Sequence, residues 1–235
     1  VAGKIIGFKT IGIIRGDELA MNFQQTILEN PTLHEAHKNG MTFEFVSREI
    51  YRNKTSTIFL EELKQKLGDF YLIPEGGTNE LAIRGCEEIL VAEDSIFDYI
   101  CCAVGTGGTI SGFINASENH QKVIGFPVLK GDFLSSEIEK YVKKSNWELQ
   151  TNFHFGGYAK YNQTLIRFIN DFKKDTNVLL DPIYTAKMIF GLLEIIKNDG
   201  FQKGSKILAI HTGGLQGIQG VNQKLQKNNE EIIHL

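Results

Sequence analysis

The stretch that decides the fold is residues 101–113, CCAVGTGGTISGF, in which an apolar run stops at a cluster of glycines and threonines. The run predicts a buried strand, and the residues after the cluster predict the start of a helix. Glycines let backbone N–H groups converge, and a helix N-terminus adds unpaired donors and the positive end of a dipole. We therefore expect residues 105–109, called the glycine loop below, to bind an anion such as a cofactor phosphate.

Two familiar phosphate motifs do not fit the glycine loop. In the dinucleotide fingerprint GxGxxG, Ile110 stands where the third glycine belongs, and the P-loop pattern fails because no Gly-Lys-Ser/Thr follows. The pattern that remains is GxGGTxxG, which closes with Gly112. For a loop taken alone, a tight turn that binds nothing is the alternative interpretation. The predicted phosphate-binding residues are Gly105, Thr106, Gly107, Gly108 and Thr109.

On both sides of this loop, short β-rich runs alternate with helical patterns. Strands are predicted at residues 8–15, 42–47, 70–73, 97–104, 122–126, 147–150 and 206–211. Helices are predicted at residues 57–67 and 185–197, the first ending at Gly68. Such alternation is typical of an α/β protein with a mostly parallel sheet and helices on both faces.

Ligands of open parallel sheets bind beyond the carboxyl ends of the strands. This rule selects the loops at residues 74–79 (PEGGTN), 105–109 (GTGGT) and 211–214 (HTGG). In the third loop, Thr212 is the stronger candidate for a hydrogen bond to a ligand nitrogen, and His211 is interpreted as a core residue. Tyr158 and Tyr184 lie on two further loops, where a phenol can act as an acid, a base or a stacking surface.

Composition excludes several classes of function. The 235 residues carry a formal net charge of −3 without a basic block, so nucleic acids and anionic membranes are not expected partners. No apolar stretch is long enough to span a membrane and no signal peptide is visible, so a cytoplasmic protein is expected. Cys101 and Cys102 are interpreted as core residues, His34 and His37 as surface residues, and no metal site is predicted.

Four segments occur together in a recognisable order and spacing. They are IPEGGTNELAIRGCEEI (73–89), VGTGGTISG (104–112), LLDPIYTAKMIFGL (179–192) and ILAIHTGGL (207–215). This set resembles the D-cysteine desulfhydrase and 1-aminocyclopropane-1-carboxylate deaminase family of pyridoxal-phosphate enzymes, which has the tryptophan synthase β-like fold.

The resemblance implies two open, mostly parallel αβα domains with the active-site cleft between them. Residues 1–77 would be the remainder of a smaller domain, and residues 78–235 most of a larger, cofactor-binding one. The cofactor would be pyridoxal 5'-phosphate, with its phosphate on the glycine loop and its pyridine nitrogen facing Thr212. Tyr158 and Tyr184 match the family's two active-site tyrosines. A small amino acid is the expected substrate, and a homodimer the expected assembly.

The family's deaminases carry a glutamate directly after the second tyrosine, whereas this chain has Thr185. That departure favours D-cysteine desulfhydrase activity, which yields pyruvate, sulfide and ammonia. The alternatives are deamination of 1-aminocyclopropane-1-carboxylate, or a truncated relative that binds the cofactor without catalysis. The last alternative arises because the family's Schiff-base lysine segment, Gly-Asn-Lys, precedes the position that matches Val1. Nothing in the sequence places Lys160 or Lys187 as a substitute.

Overall fold

The chain divides into two structural units, Val1–Leu72 and Ile73–Leu235, in a computed structural model that describes residues 1–235. Both units contain parallel strands connected through helices, so the predicted α/β class is confirmed. The assignment of the units to a smaller and a larger family domain stays a prediction. No helix in the chain combines the length and the apolar character that crossing a bilayer requires.

The first unit is built around a pair of parallel strands, β1 (Ile11–Arg15) and β2 (Thr42–Val46). Aromatic side chains fill its centre, where the ring of Phe23 lies 6.4 Å from Phe43 and 5.9 Å from Phe45. The helices of this unit are α1 (Ala2–Ile6), a 3-10 turn (Asp17–Asn22), α2 (Phe23–Glu29), α3 (Pro31–Lys38), α4 (Arg48–Arg52) and α5 (Thr57–Leu67).

The second unit is built on a four-stranded parallel sheet in the order β5-β4-β3-β6. Its strands are β3 (Tyr99–Val104), β4 (Lys122–Pro127), β5 (Trp147–Leu149) and β6 (Ile207–Ala209). The central strands are apolar on both faces, as expected for a parallel sheet with helices on either side. Cys101 and Cys102 are fully buried in β3, and burial raises the pKa of the Cys101 thiol to about 12.

Helices cover both faces of this sheet and complete the core. One cluster, around Phe113 and Ile138, packs on one side of β3, and a second, around Met188 and Leu192, packs on the other. The helices are α6 (Glu80–Glu87), α7 (Gly108–Ala116), α8 (Phe133–Glu139), α9 (Gln163–Thr176), α10 (Thr185–Lys197) and α11 (Gly217–Lys227). Short 3-10 turns occur at Ala92–Ile96 and Thr151–Phe153.

One predicted strand is wrong. Residues 70–73 form no strand, and their apolar side chains are exposed. An apolar run becomes a strand only where a neighbouring strand accepts its backbone hydrogen bonds, and this segment is paired with none. The loop at residues 74–79 therefore does not follow a strand, although it does precede helix α6.

Candidate functional site

A cavity of about 460 Å³ opens beyond the carboxyl ends of β3 and β6. All three loops that the sequence selected contribute to its wall, together with the side chain of Tyr184. Its lining residues from these loops are Gly76, Gly77, Thr78, Gly105, Thr106, Gly107, Gly108, Thr109, Thr212, Gly213 and Gly214. The position agrees with the rule that ligands of parallel sheets bind at this edge.

The glycine loop connects the end of β3 to the start of α7, as the sequence predicted. Gly107 is the residue before the helix and has a φ of 94°, a left-handed conformation that a side chain would strain. From Gly105 onward, the first backbone N–H that finds an acceptor is that of Ser111, which donates to the carbonyl of Gly107 at 3.0 Å. The N–H groups of residues 105–110 donate to no acceptor in the chain. They leave a set of donors at a positive helix end, which fits an anion.

Gly112, which closes the sequence pattern, has a packing role rather than a binding one. A Cβ at this position would lie 2.4 Å from the Cβ of Cys86 and 2.8 Å from the carbonyl oxygen of Ile83. Both neighbours belong to α6, so the absence of a side chain at Gly112 lets α6 and α7 approach closely. The glycine loop is thereby held against the loop that precedes α6.

Thr78 is a cavity residue that the sequence did not single out, although its loop was selected. Its hydroxyl lies 2.6 Å from the hydroxyl of Thr106 in the glycine loop. Since one hydroxyl donates to the other, the second hydroxyl keeps its hydrogen available for a further acceptor. The two loops fit tightly here, because a Cβ on Gly76 would lie 2.6 Å from the Cγ2 of Thr106.

Thr212 faces the same cavity as the glycine loop, on the loop after β6. Its neighbour His211 holds this loop: Nδ1 accepts a hydrogen bond from the N–H of Gly213 at 3.1 Å. The other ring nitrogen, Nε2, therefore carries the hydrogen and donates to the carbonyl of Leu179 at 2.9 Å. His211 is exposed rather than buried as predicted, but both of its nitrogens have structural partners.

Helix α10 begins at a buried carboxylate that the sequence analysis missed. Asp181 is 1% exposed and accepts from the N–H groups of Ile183 (2.9 Å), Tyr184 (2.8 Å) and Thr185 (2.8 Å). The Thr185 hydroxyl also donates to this carboxylate at 2.7 Å, and it accepts from the N–H of Asp181 at 2.9 Å. A carboxylate at a helix N-terminus is favourable, and here it fixes the direction in which Tyr184 leaves the backbone.

The two predicted tyrosines are brought together, but only one reaches the cavity. The rings of Tyr158 and Tyr184 meet edge to face with centroids 6.1 Å apart. Tyr184 lines the cavity, whereas Tyr158 is 53% exposed and lies outside its wall. Burial raises the pKa of Tyr184, and a hydrogen bond to Tyr158 raises it further. The phenol of Tyr184 therefore stays protonated at neutral pH and can serve the cavity as a hydrogen-bond donor.

The two lysines near the tyrosines do not reach the cavity. Lys160 is exposed, and Lys187 is fully buried, with its ammonium bound to backbone carbonyls. Neither contributes to the cavity wall. What the cavity offers is a set of N–H donors, several hydroxyls and one phenol, without a charged side chain among its lining residues.

Comparison with known proteins gives a consistent set of relatives. No protein-family model matches the chain. A Thermotoga maritima protein assigned as a 1-aminocyclopropane-1-carboxylate deaminase is 31% identical over 186 residues, which cover 70% of this chain and 58% of the relative. The mitochondrial bifunctional D-cysteine desulfhydrase/1-aminocyclopropane-1-carboxylate deaminase of Arabidopsis thaliana is 33% identical over 204 residues, or 76% of this chain. The chain thus spans little more than half the length of these relatives, 58% of the first and 51% of the second.

Solved structures support the same fold. The crystal structure of a homologue of 1-aminocyclopropane-1-carboxylate deaminase matches 96% of this chain and 72% of its own, with a TM-score of 0.75 and 24% identity. A threonine deaminase from Solanum lycopersicum matches 94% of this chain with a TM-score of 0.56 and 16% identity. These likenesses establish the expected tryptophan synthase β-like fold.

Proposed function

The chain is a homologue of the D-cysteine desulfhydrase and 1-aminocyclopropane-1-carboxylate deaminase family, and on this premise we propose that it forms the cofactor-binding part of a pyridoxal-phosphate-dependent lyase acting on a small amino acid. The observation that supports this proposal is the cavity wall itself. It combines the unpartnered N–H groups of residues 105–110 with Thr212 and Tyr184 in a space of about 460 Å³. That volume lies within the range of small-molecule sites, roughly 300–1,000 Å³.

The residues present fit pyridoxal phosphate. The N–H groups of residues 105–110 and the hydroxyls of Thr106 and Thr109 would hold the phosphate at the N-terminus of α7. Thr212 would face the pyridine nitrogen with a neutral hydroxyl, which leaves that nitrogen unprotonated. When bound, the cofactor withdraws electrons from the α-carbon of an amino acid. The protein's part is to orient the cofactor and to place the protonated phenol of Tyr184 at the cavity wall.

Within the family, we propose D-cysteine as the preferred substrate. The position that carries a glutamate in the deaminases holds Thr185 here, and its hydroxyl is fully buried in the hydrogen bonds with Asp181. No carboxylate reaches the cavity from this position. An acid or base of that kind is therefore not supplied from this position for opening a cyclopropane ring. Elimination from D-cysteine also needs a base that takes the α-proton, but the β-sulfur then leaves as hydrosulfide, which is a much better leaving group than a ring carbon.

Deamination of 1-aminocyclopropane-1-carboxylate is the second candidate. The names of the relatives favour it, since the Thermotoga maritima relative is assigned to that activity and the Arabidopsis thaliana relative is named for both.

The test is an assay of the complete protein with both substrates. We expect D-cysteine to release sulfide and pyruvate with a higher kcat/KM than that with which 1-aminocyclopropane-1-carboxylate releases 2-oxobutanoate. L-cysteine at the same concentration is the control for stereochemistry. Faster release of 2-oxobutanoate would contradict the D-cysteine assignment. Absence of both products with a protein that binds pyridoxal phosphate would contradict the lyase.

A further inference from the structure

The loop that carries Tyr158 has an unusual backbone. In the segment of residues 154–160, called the tyrosine loop below, four positions have positive φ: Phe155 (52°), Gly156 (94°), Gly157 (118°) and Ala159 (54°). Residues with a side chain are disfavoured in this conformation, because the Cβ lies too close to the following carbonyl oxygen. Strain of this kind persists only where the surrounding structure holds it, and it is concentrated at functional sites.

The side chain of Lys187 supplies the restraint. Its ammonium donates to the carbonyl of His154 at 2.9 Å and to the carbonyl of Gly157 at 2.8 Å, so it bridges the start and the middle of the tyrosine loop. Lys187 is 0% exposed. Burial lowers the pKa of this ammonium to about 8, and the carboxylate of Asp181 opposes that shift. A buried cation is costly unless it is fully hydrogen-bonded, and here it is bound to groups of one loop.

Helix α10 places this lysine between two aromatic contacts to the same loop. Tyr184, Lys187 and Phe190 are spaced three apart, which puts them on one side of the helix. The ring of Tyr184 meets Tyr158, and the ring of Phe190 meets Phe155 with centroids 5.0 Å apart. The ammonium is the polar member of this row, and it is the one that binds the strained backbone directly.

We propose that Lys187 is a positioning residue, whose ammonium holds the tyrosine loop in its strained conformation. It thereby keeps Tyr158 in contact with Tyr184, the tyrosine that lines the cavity. Lys187 does not line the cavity, so it acts through the loop and not on a substrate. The consequence for activity rests on the proposed function, since it assigns a role to the tyrosine pair. The consequence for the loop does not, because it concerns backbone hydrogen bonds alone.

The first test measures the amide hydrogen exchange rates of the complete protein by NMR. Lys187→Met removes both donors but keeps an unbranched side chain. We expect exchange at the amides of Gly157 and Lys160 to accelerate about tenfold or more, because both amides bond to the carbonyls of the restrained loop. The amides of β3 should keep their protection. Lys160→Met is the matched control, since this lysine lies on the same loop but is exposed, and its loop amides should exchange as in the wild type.

Unchanged exchange at Gly157 and Lys160 in a folded Lys187→Met variant would overturn the proposal. Lys187→Arg covers the case in which the methionine variant does not fold, because arginine keeps the charge and the donors. In that variant the exchange rates of the loop amides should stay within about threefold of the wild-type rates. If neither variant folds, side-chain volume and not hydrogen bonding decides at this position, and the proposal is wrong.

The second test separates positioning from a general effect on folding. In the complete protein, Tyr158→Phe is measured alone and in the Lys187→Met background. If Lys187 acts through Tyr158, the double variant should lose little more kcat than Lys187→Met alone. If the kcat of the double variant falls by the product of the two single-variant factors, the lysine acts independently of the tyrosine, which contradicts the proposal. If no substrate is turned over by any form, the proposed function fails, while the exchange result still decides the role of Lys187.

Discussion

The glycine loop lines the cavity, the tyrosine loop contacts the cavity residue Tyr184, and the two loops are stabilised in different ways. The glycine loop, residues 105–109, is defined by its own sequence: it follows a buried strand, contains a left-handed glycine and starts a helix. The tyrosine loop, residues 154–160, has positive φ angles at Phe155 and Ala159, which no local sequence rule favours. Its conformation depends on α10, which follows it by more than twenty residues in the chain.

The difference shows which parts of a site can be changed independently. The glycine loop offers backbone N–H groups, so its function depends on the absence of side chains. The tyrosine loop offers a side chain, so its function depends on partners that hold the backbone beneath it. Asp181 and Lys187 are these partners, since one fixes the start of α10 and the other binds the loop to that helix.

The largest effect is expected from Asp181→Ala, which tests whether the two regions are separately stabilised. The change leaves three backbone N–H groups and the Thr185 hydroxyl without their acceptor. We expect the free energy of unfolding to fall by about 3 kcal/mol, as for the loss of a buried charged cap. Urea denaturation measures this loss, and amide exchange should show the first turn of α10 opening before α7, the helix that the glycine loop starts.

Asp171→Ala is the matched control, because this aspartate is exposed on α9. Its effect on stability should stay within about 0.5 kcal/mol. If Asp181→Ala opens α7 as readily as α10, the two regions form one cooperative unit and their separate stabilisation is wrong.

A smaller effect on stability, about 2 kcal/mol, is expected from Gly107→Val. The φ of 94° at Gly107 is unfavourable for a β-branched residue, and the new Cβ would lie 3.0 Å from Ile138. Because the N–H groups of the loop would turn with the backbone, affinity for pyridoxal phosphate should fall at least about tenfold. Calorimetric titration measures the affinity, and denaturation measures the stability.

Gly220→Ala is the control for this glycine. It lies inside α11, has ordinary helical φ and has open space where the Cβ would go. The substitution should stabilise the protein by about 0.5–1 kcal/mol and leave cofactor binding unchanged. A Gly107→Val variant that binds pyridoxal phosphate with wild-type affinity would show that the glycine loop is only a turn.

The sequence predicted those parts of the fold that depend on local pattern. The apolar run before Gly105 is strand β3, the helices at 57–67 and 185–197 are observed, and the loops at 105–109 and 211–214 lie at the carboxyl edge of the sheet. The strand at 70–73 was predicted from composition alone, and it fails because no neighbouring strand pairs with it.

The sequence could not reveal the side chains whose roles depend on tertiary contacts. Asp181 in LLDPIYT looks like an ordinary turn residue, and its burial becomes evident only when α10 and the loop with Gly214 pack around it. Lys187 follows the second tyrosine motif, and nothing in the sequence assigns it a role. Its hydrogen bonds to His154 and Gly157 join positions 33 and 30 residues apart, which no periodicity encodes.

The central claim is that the N–H groups of residues 105–110 form the anion site of the cavity. The most direct test is a titration of the ¹⁵N-labelled protein, first with inorganic phosphate and then with pyridoxal phosphate, followed through amide chemical shifts. We predict saturable shifts at residues 105–110 with both ligands, extended to Thr212 and the residues around Tyr184 only with pyridoxal phosphate. Shifts that avoid residues 105–110, or that spread over surface lysines without saturation, would contradict this claim.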